Sequence, residues 1–416
     1  MNHPSRLPLA QLLLCGALVV TLSMGIRHGF GLWLQPIVTA RGWSREDFAL
    51  AMAVQNLVWG ASGPFIGWWA DRQGAFRVLV AGSLLYALGL LGMAQSAQSA
   101  WFMVSTGLTI GLAQACTTYA VVYGVLGRHI DAHQRSWAMG LTAAAGSFGQ
   151  FLMVPVSSLL ISHLGWQHAL WTLAGAALLI IPIARGLHDE PHRQTTSITP
   201  EGQTAHSEPS TRSALMEALQ HRDYLLLTAG YFVCGFQVAF IGVHLPSYLK
   251  DHQMAPEIAT TALALIGLFN VFGTYASGVL GQRLRKPWIL SAIYALRAVT
   301  IILFVTQPLS AWSVTLFAAV MGTLWLSTVP PTNAIVAQML GIRNLSMLGG
   351  IVFFSHQIGS FLGVWLGGRL YDTTGSYDVV WWGAVALGIA AALLNLPIQE
   401  HRTPQRRAVA PIAKSA

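Results

Sequence analysis

Twelve long apolar segments, separated by short polar ones, run through the 416 residues of the chain. Each holds about 18 residues or more, which is the length that a helix needs to cross the hydrocarbon core of a bilayer. Numbered in chain order as the first to the twelfth span, they cover residues 9–36, 48–70, 76–94, 101–126, 137–163, 166–184, 224–249, 258–280, 287–305, 312–340, 345–370 and 379–396. The pattern predicts an all-α membrane protein with twelve transmembrane helices.

The polar stretch between the sixth and seventh spans is rich in Ser, Thr, Pro, His and charge and has no apolar periodicity, which is typical of a solvated linker. The chain therefore divides into an N-terminal six-helix bundle at 1–186, a linker at 187–222, a C-terminal six-helix bundle at 223–398 and a tail at 399–416. Composition agrees, because only 9% of the residues are charged where about 25% is usual in soluble domains.

The distribution of basic residues predicts the orientation. Of the 23 Lys and Arg, 17 lie on the side of the two termini, 4 lie on the opposite side, and Arg27 and Arg297 lie within spans. This bias predicts that both termini are cytoplasmic, and a bacterial inner (plasma) membrane is the expected location. The net charge of +8 reflects this topology and contact with lipid headgroups, so no nucleic acid partner is expected. The three Cys lie at unrelated positions within spans, and neither a metal site nor a cofactor is expected.

The two halves match one another at an offset of 210 residues. The matched pairs are Gly25 with Gly235, Pro36 with Pro246, Gly140 with Gly350, Gly149 with Gly359 and Gly165 with Gly375. Two parallel six-helix repeats imply a substrate site between them near the membrane midplane, and alternating access by rocking of the halves. The alternative is a duplication that serves stability alone.

A charged turn follows the second span, from Gly67 to Arg77. Its pattern, Gly-x-x-x-Asp-Arg-x-Gly-x-x-Arg, resembles the loop after the second helix of major facilitator superfamily transporters. Gly67 allows close approach of a neighbouring helix, Gly74 permits a tight reversal, and Asp71 with Arg72 and Arg77 forms an ionic latch in this interpretation. The resemblance implies a gate that holds the cytoplasmic side shut in one of two states; the alternative is a generic polar turn.

A second resemblance lies at 135–166, where three glycines stand in Gly140-Leu-Thr-Ala-Ala-Ala-Gly146-Ser-Phe-Gly149, followed by Pro155 and Gly165-Trp166. This stretch resembles the fifth helix of the monocarboxylate transporter and oxalate-formate antiporter branch of the superfamily, as does Gly42-Trp43-Ser44 before the second span. The resemblance implies the major facilitator fold and a transporter, not an enzyme. One departure is that Asn270 and Thr274 stand where many members carry an Asp and an Arg on the eighth helix.

The ionisable residues predicted to lie within the spans are Arg and His, without Asp or Glu. Two cations and three histidines lie there, namely Arg27, Arg297, His28, His244 and His356, whereas every Asp and Glu falls in a loop or at a helix end. Buried ionisable residues are costly and mark functional sites. A cavity with cations and no carboxylate favours an anionic substrate and disfavours cationic drugs.

Arg27 on the first span is the predicted anion-binding residue, since glycines flank it; structural pairing with a helix carbonyl is the alternative. Its repeat partner Gln237 is predicted to offer a neutral donor, and His28, about 100° round the helix, is expected to pack. Arg297 lies on the ninth span, near the membrane midplane. It is predicted either to bond to neighbouring helix carbonyls or to contact the substrate.

His356, with Gln357 beside it, stands on the eleventh span where oxalate-formate antiporters carry a Lys. A protonated His356 would bind an anion and tie binding to pH; the alternative is a neutral His bonded to a Ser or a carbonyl. His244 is a second candidate for proton coupling, with gating or interfacial anchoring as alternatives. Asn270 completes the predicted binding set of the second half.

The fourth span carries Gln114, Tyr119 and Tyr123, and its two tyrosines lie one turn apart on one face. They are candidates to orient a carboxylate, with core packing as the alternative. The Pro-rich stretch at 325–333 is predicted to break the tenth helix as a hinge beside the cavity.

Together these features predict a secondary transporter for a small organic anion, with monocarboxylates favoured, that works by proton symport or anion exchange as a monomer in the lipid bilayer. The alternatives are an exporter of drugs or neutral metabolites and, less favoured, a polytopic membrane enzyme.

Overall fold

The computed structural model describes residues 8–188, 211–340 and 345–400, and every regular element in these ranges is a helix. The predicted domain limits stay predictions, because most of the linker and most of the tail lie outside the described residues.

The helices follow the predicted spans, with breaks inside several of them. The first span is Leu9–His28, a 3-10 turn Phe30–Trp33 and Leu34–Arg41; the second is Arg45–Gln73 and the third Ala75–Gln95. The fourth is Ser99–Phe102, a π-helical turn Met103–Thr109, Ile110–Thr117 and Tyr119–His129. The fifth and sixth form the continuous segment Ala132–Leu178, followed by Ile180–Ala184 and Arg185–Leu187. After a short helix Thr211–Gln220, the seventh to ninth are Arg222–Asp251, Pro256–Arg283 and Lys286–Thr306. The tenth is Ala311–Leu324 and Val329–Leu340, the eleventh Leu345–Thr374 and the twelfth Asp378–Asn395.

Twelve crossings are reached although only 10 stretches of the described residues are long and apolar enough to be recognised separately. One of the 10, Trp137–Leu187, is two helices that meet at Gly165, where φ is 76°. The other missing crossing is Arg45–Gln73, 29 residues long, which is less apolar because Gln55 and Asn56 lie in it. Both termini of the helical bundle therefore lie on one face, called the terminal face below; the opposite one is the distal face.

The predicted duplication is visible in the packing. A Cβ atom at Gly149 would lie 2.3 Å from the Thr21 carbonyl oxygen, and one at Gly359 would lie 1.9 Å from that of Phe232. The first and fifth spans therefore meet through the same close glycine contact as the seventh and eleventh. Gly375 repeats the left-handed backbone of Gly165, with φ at 73°.

The buried apolar clusters are shared between the two halves near one face of the bundle and are separate near the other. Near the distal face, buried clusters mix the halves: Val243 and Val364 pack with first-half residues, and Val154 packs with second-half residues. Near the terminal face, one cluster draws only on the first half and another only on the second. The halves are thus packed together distally and separate toward the terminal face.

The close contact between helices at Gly273 can be tested by substitution. A Cβ atom there would lie 1.7 Å from the Thr323 carbonyl oxygen of the tenth span, whereas one at Gly383 would have no neighbour within 4 Å. We expect Gly273→Ala to lower the free energy of unfolding by at least about 2 kcal/mol, because backbone must move to admit the methyl group. Thermal unfolding in detergent measures this, with Gly383→Ala as the matched control. Equal melting temperatures for the two variants would contradict the packing.

Candidate functional site

A cavity of about 1300 Å³ lies between the two halves. Its walls come from the first, second, fourth and fifth spans of one half and the seventh, eighth, tenth and eleventh of the other. It extends from Arg27 and Gln357, near the middle of their spans, to Asp71 and Asn333 at the terminal face. The structure is therefore open to the terminal face.

Arg27 projects into this cavity with neutral partners. Its Nε donates to Gln114 Oε1 at 3.3 Å, its Nη2 donates to Asn56 Oδ1, and its Cζ lies 4.7 Å from the centre of the Trp59 ring. None of these groups carries a negative charge, and the described residues provide Arg27 with no ion pair. The guanidinium is thus held in place while its charge remains available to an anion.

The amide oxygens that hold Arg27 are themselves oriented by the helices. Asn56 Nδ2 donates to the Met52 carbonyl one turn earlier at 2.9 Å. Gln114 Nε2 donates to Gln55 Oε1 at 3.3 Å, and Gln55 Nε2 donates to the Thr106 carbonyl at 2.9 Å. With each amide nitrogen occupied in this way, each oxygen faces its donor.

Gln357 connects Arg27 to His356 across the two halves. Its Nε2 donates to the Asn56 carbonyl at 3.1 Å, so its Oε1 faces His356 Nδ1 at 3.0 Å. Because an amide oxygen only accepts, His356 Nδ1 carries a proton. We call the chain Arg27, Asn56, Gln357 and His356 the polar relay.

The surroundings of His356 contain no carboxylate among the described residues. Its ring centre lies 5.0 Å from that of Tyr231 and 6.0 Å from that of Phe353, and Cys234 lies close by on the seventh span. His356 is 8% exposed and its Nε2 has no hydrogen-bond partner within the described residues. The ring therefore faces aromatic side chains and the Cys234 thiol and, within the part of the chain that the structure describes, no carboxylate.

Arg297 and Gln237 do not line the cavity. Arg297 is fully buried, and its Nη2 donates to the Leu324 carbonyl at 2.6 Å and to that of Trp325. Its Nη1 donates to Gln237 Oε1 at 3.3 Å, and Gln237 Nε2 donates to the Ala384 carbonyl. The contacts of Arg297 match the structural alternative, since it binds the carbonyls at the break of the tenth span.

Asn270 lines the cavity and holds the other side of that break. Its Oδ1 accepts from the Leu326 backbone nitrogen at 3.0 Å and from Thr274 at 3.1 Å, while its Nδ2 donates to Ser147 at 2.9 Å. The predicted break of the tenth span is thus present, and its free backbone groups are satisfied by side chains from the eighth and ninth spans.

The two tyrosines of the fourth span lie together on the cavity wall. Their ring centres are 5.5 Å apart, and the Tyr123 hydroxyl donates to the Met139 carbonyl at 3.1 Å. Tyr119 lies near enough to Arg27 for electrostatic interaction. His28 also lines the wall, with Nδ1 2.7 Å from the Met24 carbonyl oxygen, as expected of a residue that packs on its own helix.

The distal face is closed by contacts between the halves that the sequence did not indicate. Arg45, at the start of the second span, donates to both carboxylate oxygens of Asp251 at 2.7 and 2.6 Å. It also donates to the Tyr377 hydroxyl at 2.8 Å, and its Cζ lies 3.6 Å from the centre of the Tyr371 ring.

A second carboxylate binds the same helix end. Asp372 accepts from the backbone nitrogens of Arg45 at 3.2 Å and Glu46 at 2.7 Å. Ser44 caps the helix from its own half, since its Oγ accepts from the Asp47 nitrogen at 3.0 Å within a capping box. We call Arg45, Asp251 and Asp372 the distal latch.

His244 lies beside the distal latch and outside the cavity wall. It is 1% exposed, with Nδ1 3.2 Å from the Tyr377 hydroxyl and Nε2 2.8 Å from the Val364 carbonyl oxygen. Both ring nitrogens thus have partners, and the Tyr377 hydroxyl links His244 to Arg45. This placement matches the gating alternative more closely than direct contact with a bound substrate.

The charged turn after the second span has different contacts from those predicted. Asp71 pairs with Arg128 of the fourth span at 2.7 Å. Arg72 points about 100° round the helix from Asp71, and its Cζ lies 4.6 Å from the centre of the Trp68 ring. Arg77, on the next helix, donates to Gln73 at 3.5 Å.

The glycines of this turn differ in what they do. Gly74 has φ 86° and ψ 147°, as the tight reversal requires. A Cβ atom at Gly67 would have no neighbour within 4 Å, since Gly67 lines the open cavity. The close approach predicted for Gly67 therefore has no partner in this terminal-open state.

Asn56 and Trp59 were missed by sequence reasoning, as was the distal latch. A signal for the first existed, because Gln55-Asn56 interrupts an otherwise apolar run in the second span. Arg45 and Asp251 are 206 residues apart, and no local pattern pairs them.

Comparison with known proteins agrees with the architecture. A family model described as Major Facilitator Superfamily matches residues 13–341 and 227–415. The uncharacterized MFS-type transporter YcxA of Bacillus subtilis (strain 168) is 24% identical over 385 residues, which cover 90% of this chain and 92% of that protein. Monocarboxylate transporter 13 of Rattus norvegicus is 25% identical over 387 residues, with 90% and 86% covered.

A solved structure has the same fold. The bacterial homolog of the human lysosomal transporter Spinster, crystallised in an inward-facing and unoccupied conformation, superposes with a TM-score of 0.70 at 16% identity, and 96% of this chain and 95% of that chain are covered. The described residues form twelve crossings in two matched bundles around a central cavity. Together with the family match over most of its length, this architecture shows that the chain belongs to the Major Facilitator Superfamily and is a multi-pass membrane transporter, not an enzyme.

Proposed function

We propose that the protein carries a small monocarboxylate, with Arg27 as the residue that binds the carboxylate. The observation that carries this proposal is the contact set of Arg27, whose guanidinium lines the cavity with only amide oxygens and a Trp ring around it. An anion can replace those weak acceptors and gain a charge-assisted hydrogen bond. The similarity to monocarboxylate transporter 13 supports the same substrate class.

The polar relay provides the means for proton coupling. A carboxylate that replaces Asn56 Oδ1 at Arg27 would lie close to His356, because the backbone carbonyl of the same Asn56 accepts from Gln357, and Gln357 Oε1 accepts from His356. A proton gained at His356 adds a second positive charge to the same cavity. Anion and proton then bind more tightly together than separately, as symport requires.

Access to the site alternates in this proposal between the present state and one that is open distally. The distal latch closes one side while the cavity opens to the terminal face, which we assign to the cytoplasm of a bacterial inner membrane on the distribution of Lys and Arg. In the other state, the turn at Gly67 to Arg77 would meet the second half.

Thermal unfolding of the purified protein with carboxylates and their neutral amide analogues tests this function. We expect a carboxylate to stabilise the folded protein by about 2.7 kcal/mol at a hundredfold excess over Kd, and its amide to have no effect. At one fixed carboxylate concentration, the stabilisation should be larger at about pH 6 than at about pH 8. In His356→Gln the carboxylate should still stabilise, but without the difference between the two pH values.

Two results would contradict the proposal. Equal stabilisation by the amides would remove the anion site and favour an exporter of neutral compounds. An unchanged pH dependence in His356→Gln would remove His356 from proton coupling.

A further inference from the structure

One wall of the cavity is a continuous row of rings that starts at Arg27. The Arg27 Cζ lies 4.7 Å from the Trp59 ring centre, which lies 5.4 Å from that of Phe353. The ring centre of His356 lies 6.0 Å from that of Phe353, and the ring centre of Tyr231 lies 5.0 Å from that of His356. We call Trp59, Phe353, His356 and Tyr231 the aromatic row; all four line the cavity.

The row belongs to both halves of the transporter. Trp59 comes from the second span, and the other three come from the eleventh and seventh. The Trp59 ring is fixed by its Nε1, which donates to Thr118 Oγ1 at 3.2 Å, and it meets Phe353 edge to face with 76° between the ring planes. A flat ligand on Trp59 and Phe353 would therefore touch both halves at once.

These rings line an open space instead of filling a core. Trp59 and Phe353 are only half-buried, and the exposed part of each ring lies against the cavity. Aromatic faces favour a further ring with centres 4.5–7 Å apart, which adds to the ordinary gain from burying apolar area. Much of the remaining wall is also apolar, including Met24, Met52, Val238 and Val243.

The one permanent positive charge near the middle of the cavity favours a ligand with a single carboxylate. Of the two guanidinium groups within the spans, only Arg27 lines the cavity, since Arg297 is bound to helix carbonyls. The volume of about 1300 Å³ exceeds the roughly 300–1,000 Å³ of pockets that hold drug-sized ligands, so space does not restrict the site to short acids.

We propose that the preferred substrate is an aromatic monocarboxylate, with its carboxylate on Arg27 and its ring on Trp59 and Phe353. This inference rests on the proposed function, because it assumes that Arg27 binds the carboxylate. It adds a reason for coupling between the halves, since a ring held by Trp59 and Phe353 makes contacts that neither half offers alone.

A matched pair of acids tests the inference. Phenylacetate and cyclohexylacetate have the same carboxylate and nearly the same size, but only the first has a π face. We expect phenylacetate to bind about five- to a hundredfold more tightly, as measured by thermal shift and by competition for uptake into liposomes. Acetate should bind more weakly than both, and phenylacetamide should not bind.

Variants of the row separate stacking from simple size. Trp59→Leu and Phe353→Leu should each reduce the preference for phenylacetate over cyclohexylacetate at least about twofold. Trp382→Leu, on the lipid-facing side of the twelfth span with 49% of Trp382 exposed, is the matched control and should keep the preference. Using two row variants guards against one that fails to fold.

The outcomes distinguish the two proposals. If cyclohexylacetate binds as tightly as phenylacetate and both are lost in Arg27→Gln, the aromatic inference is overturned and the carboxylate site stands. If the preference survives in both row variants, stacking on this row is overturned. If no acid binds better than phenylacetamide, the proposed function itself falls.

Discussion

Replacing Arg27 by Gln should raise the Kd for a transported carboxylate at least about 30-fold and abolish its uptake. Truncating one partner of a desolvated, hydrogen-bonded charge pair costs about 2–5 kcal/mol, and each 1.4 kcal/mol is a factor of ten in affinity. The side chain that replaces it keeps a hydrogen-bonding amide near Asn56 and Gln114, so the loss reports the charge. Ligand-induced thermal shift and uptake into liposomes measure the two effects.

A second variant reaches the same result without removing the guanidinium. Asn56→Asp places a carboxylate where Asn56 Oδ1 now accepts from Arg27, so the site is filled by the protein's own anion. We expect substrate binding to fall as in Arg27→Gln.

The control for both is Arg285→Gln, which removes an exposed guanidinium 5.0 Å from the Trp288 ring outside the cavity. Full uptake by Arg27→Gln, or an equal loss in Arg285→Gln, would show that Arg27 does not bind the substrate.

Breaking the distal latch should shift the protein toward the state that is open at the distal face. Arg45 and Asp251 are 10% and 25% exposed in their side chains, and removing one partner of such a largely buried pair leaves the other charge uncompensated. For Arg45→Gln we expect a change of about 2 kcal/mol between the two states, or a factor of about 30 in their ratio. Asp251→Asn should have a similar effect.

Distances between spin labels at Gln98 and Gln307, on distal loops of the two halves, measure this shift. Of the three cysteines, Cys15 is not fully buried and is replaced first. We expect longer distances in Arg45→Gln and their reversal in the exchanged pair Arg45→Asp with Asp251→Arg.

The matched control is Arg369→Gln on the same face. Arg369 pairs with Glu46 at 3.3 Å with the two side chains 54% and 32% exposed, and solvated pairs of this kind contribute about 0–1 kcal/mol. Identical distance distributions in the wild type and Arg45→Gln would mean that the latch does not hold the distal face shut.

The fold was predictable because its signals can be found without knowing any contact. Each span long enough to cross a bilayer follows from one stretch of neighbouring residues, and the repeat follows from glycines such as Gly149 and Gly359 that stand at one offset. The second span is the least apolar of them, since it carries the amides that later prove to hold Arg27. The polar residues in this span therefore indicated the site, although a hydropathy profile registers them only as a lower mean hydropathy.

The site was only partly predictable, because roles at this depth depend on which side chains meet across helices. Arg27 and Arg297 look equivalent as buried cations in the sequence. They differ because Leu324 and Trp325 present free carbonyls to Arg297 at a helix break, whereas Arg27 meets only amide oxygens and a ring. In the sequence, Asp251 is likewise an ordinary acidic residue at a helix end. Its role becomes clear only in the folded structure, where Arg45 donates to it.

The two carboxylates of the distal latch bind the first turn of the second span, but this helix is also capped by residues of its own half. Asp372 satisfies two backbone nitrogens of the second span from the other half, but the box formed by Ser44 and Asp47 caps the same turn from within its own half. If the halves part as proposed, we expect water to replace Asp372 at an exposed helix end while the box stays closed. We therefore expect the second span to keep its first turn in the distally open state, so that the stretch from this turn to Asn56 and Trp59, which precedes Pro64, stays one continuous helix.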